Sequence, residues 1–214
     1  MTVRYQDAER TMSLSVGDLV AAGARSGHLG RRTASRSTSR LRLGQQVHTD
    51  VAMERLAADA AYQAEVGLKR QVVADGWTVT LHGRVDGLTE EDGQTVVEEV
   101  KSTVLDAGTL YGTDVDDWPE YVRQLEAYLW LAAVGDRQLP VGRLVLVSVL
   151  DSSRHVLGLS LDIQRVDTDI RRVLERLVRE RKERLAWLAH RDPLTNLYNR
   201  RFFQDALARA VKRS

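Results

Sequence analysis

The sequence predicts a mixed α/β fold, a central sheet with helices on its faces and a long charged helix at its C-terminal end. Three observations carry this. Between Val66 and Thr103 the apolar positions recur every second residue, interrupted by the turn signals Asp75-Gly76 and Glu91-Asp92-Gly93. Stretches of helical period, Gly44–Glu65 and Asp117–Val134, lie on either side. Two further strand-like runs then come before a last helix, so strands and helices are interleaved along the chain.

Taken in order, residues 1–12 are polar and read as a frayed end. Ser15–Gly27 reads as a short helix, with Ser15 as cap, Val16, Leu19 and Val20 as its apolar stripe, and Gly23 or Gly27 at its end. The stretch Arg25 to Arg42 holds Arg31, Arg32, Arg36, Arg40 and Arg42 among Ser, Thr and Gly. It suits either a solvated loop or an arm that contacts phosphates. In the helix Gly44–Glu65, residues Leu56, Ala60, Met53, Ala57, Ala61, Val47, Ala58 and Val51 fill one broad arc, which is expected to pack on the core. His48, Arg55 and Asp59 share the remaining polar arc, with His48 at its border.

The strands Val66–Ala74, Trp77–Leu88 and Gln94–Thr103 form the predicted meander. In the second, Trp77, Val79, Leu81, Gly83 and Val85 alternate with Thr78, Thr80, His82, Arg84 and Asp86. The helix Asp117–Val134 aligns Tyr121, Gln124, Tyr128 and Leu131 on one stripe. Strands Gly142–Leu150 and His155–Ile163 flank the turn Asp151-Ser152-Ser153, and a charged helix, Asp167–His190, leads to the tail Arg191–Ser214. The expected organisation is one α/β domain over 1–166, a linker helix over 167–190 and a separate short segment over 191–214.

Composition removes several function classes. The chain has no cysteine, so disulfide frameworks, zinc–thiolate sites and cysteine-held iron–sulfur clusters are out. No apolar run is long enough to span a bilayer or to serve as a signal-peptide core, and the cytoplasm is the expected compartment. Lys+Arg 31 against Asp+Glu 30 is nearly balanced, so any nucleic-acid contact must rest on local patches.

The chemistry concentrates in Gly83-Arg84-Val85-Asp86-Gly87 and Val96-Val97-Glu98-Glu99-Val100-Lys101-Ser102-Thr103. A strand sends Glu99 and Lys101 to one face and Glu98 to the other, with Val96 and Val100. Asp86 ends the preceding strand and can stand beside Glu99 around a shared cation. Two carboxylates are hard oxygen ligands for Mg²⁺ or Mn²⁺. Such a cation lowers the pKa of bound water and neutralises charge on a scissile phosphate, while Lys101 can orient the water or stabilise the charged transition state. Asp86, Glu99 and Lys101 are the candidate catalytic residues for phosphodiester hydrolysis. A bare Glu-x-Lys is otherwise an exposed edge pair, and His82 fits no pattern beyond a structural or surface role.

Asp86 followed by Glu99-Val100-Lys101 resembles the central motif of the PD-(D/E)XK nucleases, and more narrowly of their RecB-type exonuclease branch. Gly44-Gln45-Gln46-Val47-His48 resembles that branch's G-x-x-[IV]-H helix, Glu65 its E-x-x-[LV] strand opening, and Gln124 to Tyr128 its Q-x-x-x-Y motif. The resemblance covers roughly residues 14–163. It implies a restriction-endonuclease-like core with a C-terminal helical extension, and a site for Mg²⁺ or Mn²⁺ made by His48, Asp86 and Glu99. It also implies DNA contacts from Gln124, Tyr128 and Arg84. The implied activity is a metal-dependent deoxyribonuclease acting on single strands or ends, in DNA repair, recombination or defence. The chain lacks the four cysteines that hold an iron–sulfur cluster in several relatives. It is similar instead to cluster-free nuclease modules fused to bacterial superfamily-2 helicases, which open with a helix like Leu14–Val20. No Gly-x-x-x-x-Gly-Lys-[Ser/Thr] occurs, so an ATP-driven helicase would have to be a partner or a domain outside these residues.

The tail Arg191-Asp192-Pro193-Leu194-Thr195-Asn196-Leu197-Tyr198-Asn199-Arg200-Arg201-Phe202-Phe203 resembles the opening of a GGDEF cyclase domain, with Asn196 in place of the usual glycine and without the loop that names that domain. The alternative function is therefore a catalytically weak nucleic-acid-binding or sensor module attached to a truncated diguanylate cyclase.

Overall fold

The computed structural model describes residues 2–24, 38–135 and 138–191, with the side chains of 38–42 left out. Most of the arginine-rich stretch and the tail beyond 191 therefore lie outside the described residues. Among the described residues seven strands form one sheet in the order β1 (Arg4–Gln6), β2 (Thr11–Ser15), β4 (Trp77–Glu91), β5 (Gln94–Thr103), β6 (Val141–Ser148) and β7 (Arg154–Ser160), with β3 (Gln63–Ala74) paired to the other edge of β4. The long strand β4 (Trp77–Glu91) carries the architecture. Its first half pairs in parallel with β2 (Thr11–Ser15), and its second half pairs antiparallel with β5 (Gln94–Thr103). Both tight hairpins use the Asp-Gly pairs expected of them. Asp75 and Gly76 have φ of 46° and 76°, and Asp92 and Gly93 have φ of 50° and 80°, the positive pair that a two-residue turn between twisted strands requires.

The N-terminus is not frayed. β1 (Arg4–Gln6) and β2 form a hairpin, and Met12 and Leu14 are fully buried. The alternation Met12, Leu14, Val16 was present in the sequence, but five residues with polar neighbours give too short a signal until β4 supplies the partner. Ser15 does cap the next helix, α1 (Val16–Ala24): its Oγ accepts from the amide of Asp18 at 3.1 Å.

The main core lies on one sheet face, where α1, α4 (Pro119–Ala132) and α5 (Ile163–His190) pack around Trp130, Leu129, Leu81, Val85 and Leu144. A four-residue helix, α3 (Ala107–Leu110), and a 3₁₀ turn at Val115–Asp117 connect β5 to α4. The expected domain boundary at 166 falls inside α5. Val166, Ile170, Leu174, Leu177 and Val178 are all buried, so the first half of this helix belongs to the core rather than to a linker.

Among the described residues the opposite face is covered by α2 (Thr38–Ala58), and here the expected core arc is met only in part. Met53 and Leu56, placed on the core arc by periodicity, are exposed at 66 % and 50 %. The polar arc instead turns to the sheet. His48 meets Asp86 at 3.1 Å, Arg55 meets Glu98 at 3.0 Å, and Asp59 accepts from the Thr89 hydroxyl at 2.6 Å. Among the described side chains of α2, Val47 and Val51 provide its apolar seat, against Val100, Val145 and Val147. The cause is the sheet surface, which offers a buried carboxylate and a threonine for α2's polar groups to satisfy.

Candidate active site

The site forms where β4 changes partners. Alternation along β4 puts Trp77, Val79, Leu81 and Val85 in the main core, then slips, so that Leu88 next packs there. The slip falls at Asp86-Gly87. Pairing with β3 runs from Val66 opposite Val85 to Ala64 opposite Gly87, and between them Glu65 has φ 54°, a left-handed backbone that a non-glycine residue adopts at some cost. Gly87 is required by space, because a Cβ there would lie 1.9 Å from the Tyr62 hydroxyl. With β2 ended at Ser15 and the β5 ladder beginning only at Gly87, the Asp86 side chain fills the gap: its Oδ2 accepts from the Val100 amide at 2.7 Å. Its Oδ1 faces His48 Nδ1 at 3.1 Å.

Glu99 stands next to this junction, 2 % exposed. Its Oε1 accepts from Lys101 Nζ at 2.5 Å and from Gln124 Nε2 at 2.6 Å. Among the described residues its Oε2 is buried with no hydrogen-bond partner, as is Glu98 Oε2 on the other face of the strand. Burial is the main cause that pushes the Glu99 carboxyl up, to about 7; the charge of Asp86 adds to this, and Lys101 and His48 oppose it. Gln124 also lies 3.4 Å from the Tyr128 hydroxyl. Burial, followed by the charge of Glu99, raises Tyr128 to about 12, so it remains a neutral donor. Lys101 leaves 19 % of its side chain exposed and lies 5.4 Å from the centre of the Tyr121 ring.

The site thus draws on β4, β5, α2 and α4 and holds two hydrogen-bonded groups, His48 with Asp86 and Glu99 with Lys101, Gln124 and Tyr128, linked by the effect of the Asp86 charge on Glu99. Arg84 is not part of it: its guanidinium pairs with Glu65 at 3.1 Å, and both side chains are mostly exposed. Glu65 likewise has no contact with the carboxylates. Glu98, adjacent in sequence, faces α2, is 1 % exposed, and is held by Arg55 with Arg143 at 3.8 Å. Periodicity alone did not flag Arg55 or Tyr62 as partners of this region. The signal available was that Arg55 follows His48 by two helical turns on the same arc.

The donor set suits a hard divalent cation: two carboxylates and an imidazole, with one buried carboxylate oxygen that no protein donor satisfies. Among the described residues no three His, Asp or Glu side chains are grouped so as to hold a metal ion; His48 and Asp86 are bonded to each other, and Glu99 Oε1 to Lys101 and Gln124. A cation would exchange with these bonds.

Fold and site together define a mixed α/β protein with a carboxylate–lysine centre at a strand junction. The sequence signature of the PD-(D/E)XK nuclease superfamily matches residues 8–209, and the chain belongs to that superfamily. Among solved structures, the crystal structure of SSO0001 is similar with a TM-score of 0.50 and 18 % identity, covering 81 % of this chain and 78 % of that one. At that identity the likeness speaks for the fold, which is restriction-endonuclease-like. No curated protein matches the sequence. Members of this superfamily are typically metal-dependent nucleases, and no helix among the described residues is long and apolar enough to cross a membrane.

Proposed function

We propose that this chain is a Mg²⁺- or Mn²⁺-dependent deoxyribonuclease of the RecB-like exonuclease type, acting on single strands or ends in DNA repair, recombination or defence. The observation that carries the reading is Glu99: a buried carboxylate beside Asp86, with one oxygen bound by Lys101 and Gln124 and the other left without a donor. Keeping a carboxyl in that state is costly unless its charge has a use. Asp86, Glu99 and His48 are the residues that would hold the cation, which when bound supplies an activated water and charge neutralisation at the phosphate.

The chain's own residues do the remainder. Asp86, anchored on the Val100 amide, keeps its carboxylate at the strand junction. Lys101 carries a fixed positive charge next to Glu99, placed to stabilise an anionic phosphate as charge develops. Gln124 and Tyr128 form a row of donors from α4 that can face the phosphate or a base, and Arg84 is assigned to the DNA flank outside the set. The proposed organisation carries the nuclease-like domain past 166 through the buried first half of α5, with the rest of that helix leading to a GGDEF-like remnant at 191–214. A helicase is the expected partner, and the cytoplasm the expected compartment.

The test is degradation of end-labelled single- and double-stranded DNA with Mg²⁺, Mn²⁺ or EDTA. Cleavage that needs the metal and is lost in Glu99→Ala supports the reading; its absence under all metals overturns it. A second reading, a catalytically weak nucleic-acid-binding or sensor module, is favoured by one observation, the mutual bonding of His48 and Asp86. Metal-dependent DNA binding without cleavage would select it.

A further inference from the structure

Next to the carboxylate centre lies an aromatic pair that the nuclease reading does not use. Trp118 and Tyr121 stack with ring centres 5.7 Å apart and planes 12° from parallel. Both are half-buried: they pack against the main core, with the Trp118 indole nitrogen buried, and keep part of their surface exposed. Trp118 directly precedes Pro119 at the start of α4, whose ring restricts the backbone there, so the pair is held in place before anything binds. Tyr121 sits under the Lys101 ammonium at 5.4 Å, and Gln124, one turn further along α4, reaches Glu99. Lys101 thus joins Glu99 to Tyr121, and Tyr121 stacks on Trp118.

We propose that Trp118 and Tyr121 form a stacking subsite for an unpaired nucleobase of a DNA single strand whose phosphate lies at Lys101. The proposal deepens the nuclease reading and rests on it for the position of that phosphate. A strand that places a phosphate at the ammonium brings a neighbouring base to the aromatic pair. Flat π-faces accept any base, so the subsite is indifferent to sequence but selective for strandedness: bases inside a duplex are stacked on each other and have no free face to offer. A preorganised platform of this kind also loses little conformational freedom on binding. The preference for single strands or frayed ends would therefore be written in α4 rather than in the metal-binding residues.

The experiment measures binding in EDTA at low ionic strength, where hydrolysis cannot occur. The probes are a labelled oligothymidylate and an abasic strand of the same length and charge, read by fluorescence anisotropy. The wild type is expected to favour the base-bearing strand by about tenfold. Trp118→Leu and Tyr121→Leu should each remove most of that preference while leaving abasic binding unchanged, and Trp118→Phe should retain it. Thermal melting identifies which variants are folded, and either leucine variant suffices. Equal affinity of the wild type for both strands, or a full base preference in a folded leucine variant, overturns the subsite. A protein that cleaves DNA without any base preference loses this proposal alone. One that prefers bases but never cleaves with Mg²⁺ or Mn²⁺ loses the nuclease reading and keeps the subsite.

Discussion

Glu98 and Glu99 are neighbours on β5, almost equally buried, and chemically identical, yet the two faces of the strand treat them differently. Glu98 looks toward α2 and meets the Arg55 guanidinium, with Arg143 close by, while its Oε2, like that of Glu99, is buried without a hydrogen-bond partner among the described residues. Glu99 looks toward α4 and meets one ammonium and one amide; burial, with the charge of Asp86 adding, raises its carboxyl to about 7. A buried carboxylate held by a guanidinium from another element fixes the two elements together; one held by an ammonium and an amide beside a second carboxylate can exchange those partners for a ligand. Glu98 anchors the helix that carries His48, whereas Glu99 is poised to take up a cation.

The largest effect expected from this contrast is on catalysis. Glu99→Ala and Asp86→Ala should each lower metal-dependent cleavage by about a thousandfold or more, because several kcal/mol of transition-state stabilisation depend on the shared cation. Glu98→Gln should stay within about tenfold of wild type. Single-turnover rates on labelled DNA check both, and a Glu98→Gln rate as low as that of Glu99→Ala would erase the distinction between the two faces.

Stability should show the opposite ranking. Glu98→Ala leaves Arg55 without its buried partner and is expected to cost about 2–3 kcal/mol, below the full value for a buried pair because Arg55 is partly exposed. Urea denaturation measures it, and a loss under about 0.5 kcal/mol would show that Glu98 does not hold α2.

A smaller and pH-dependent effect follows from Glu99. Its folded pKa lies above the ordinary value of 4.5. The neutral carboxyl therefore stabilises the fold fully below that value, and this contribution is lost as pH rises through about 7. Glu99→Gln, always neutral, should stabilise the metal-free protein at pH 8 by about 1–2 kcal/mol and leave it nearly unchanged at pH 5. Melting curves at the two pH values decide this; an equal shift at both would assign the gain to packing instead of charge.

The smallest effect belongs to Arg84. Its pairing with Glu65 is mostly exposed, so Arg84→Ala should change stability by less than about 1 kcal/mol. As a single flanking phosphate contact it should weaken DNA binding only a few-fold, more so at low salt. A loss of cleavage comparable to that of Asp86→Ala would move Arg84 into the centre.

The strands of the meander, both Asp-Gly turns and the facing of Glu99 against Glu98 were legible in the sequence, because a period of two and the positive φ of turn residues are local properties. The linkage of Asp86, Glu99 and Lys101 could be anticipated for the same reason: one hairpin brings them together. The orientation of α2 could not. Periodicity ranks faces by apolarity, and Met53 and Leu56 outweighed His48, Arg55 and Asp59 until the sheet was seen to present Glu98, Asp86 and Thr89 beneath them. Burial works in the same non-local way. No count of residues reveals that Glu99 Oε2 is enclosed without a donor, that α5 joins the core, or that Trp118 and Tyr121 stand beside Lys101. The sequence by itself determined which groups could meet within one hairpin or one helical turn. The tertiary structure alone decided which of them lose water, because desolvation is set by elements distant in the chain that arrive from both faces of the sheet.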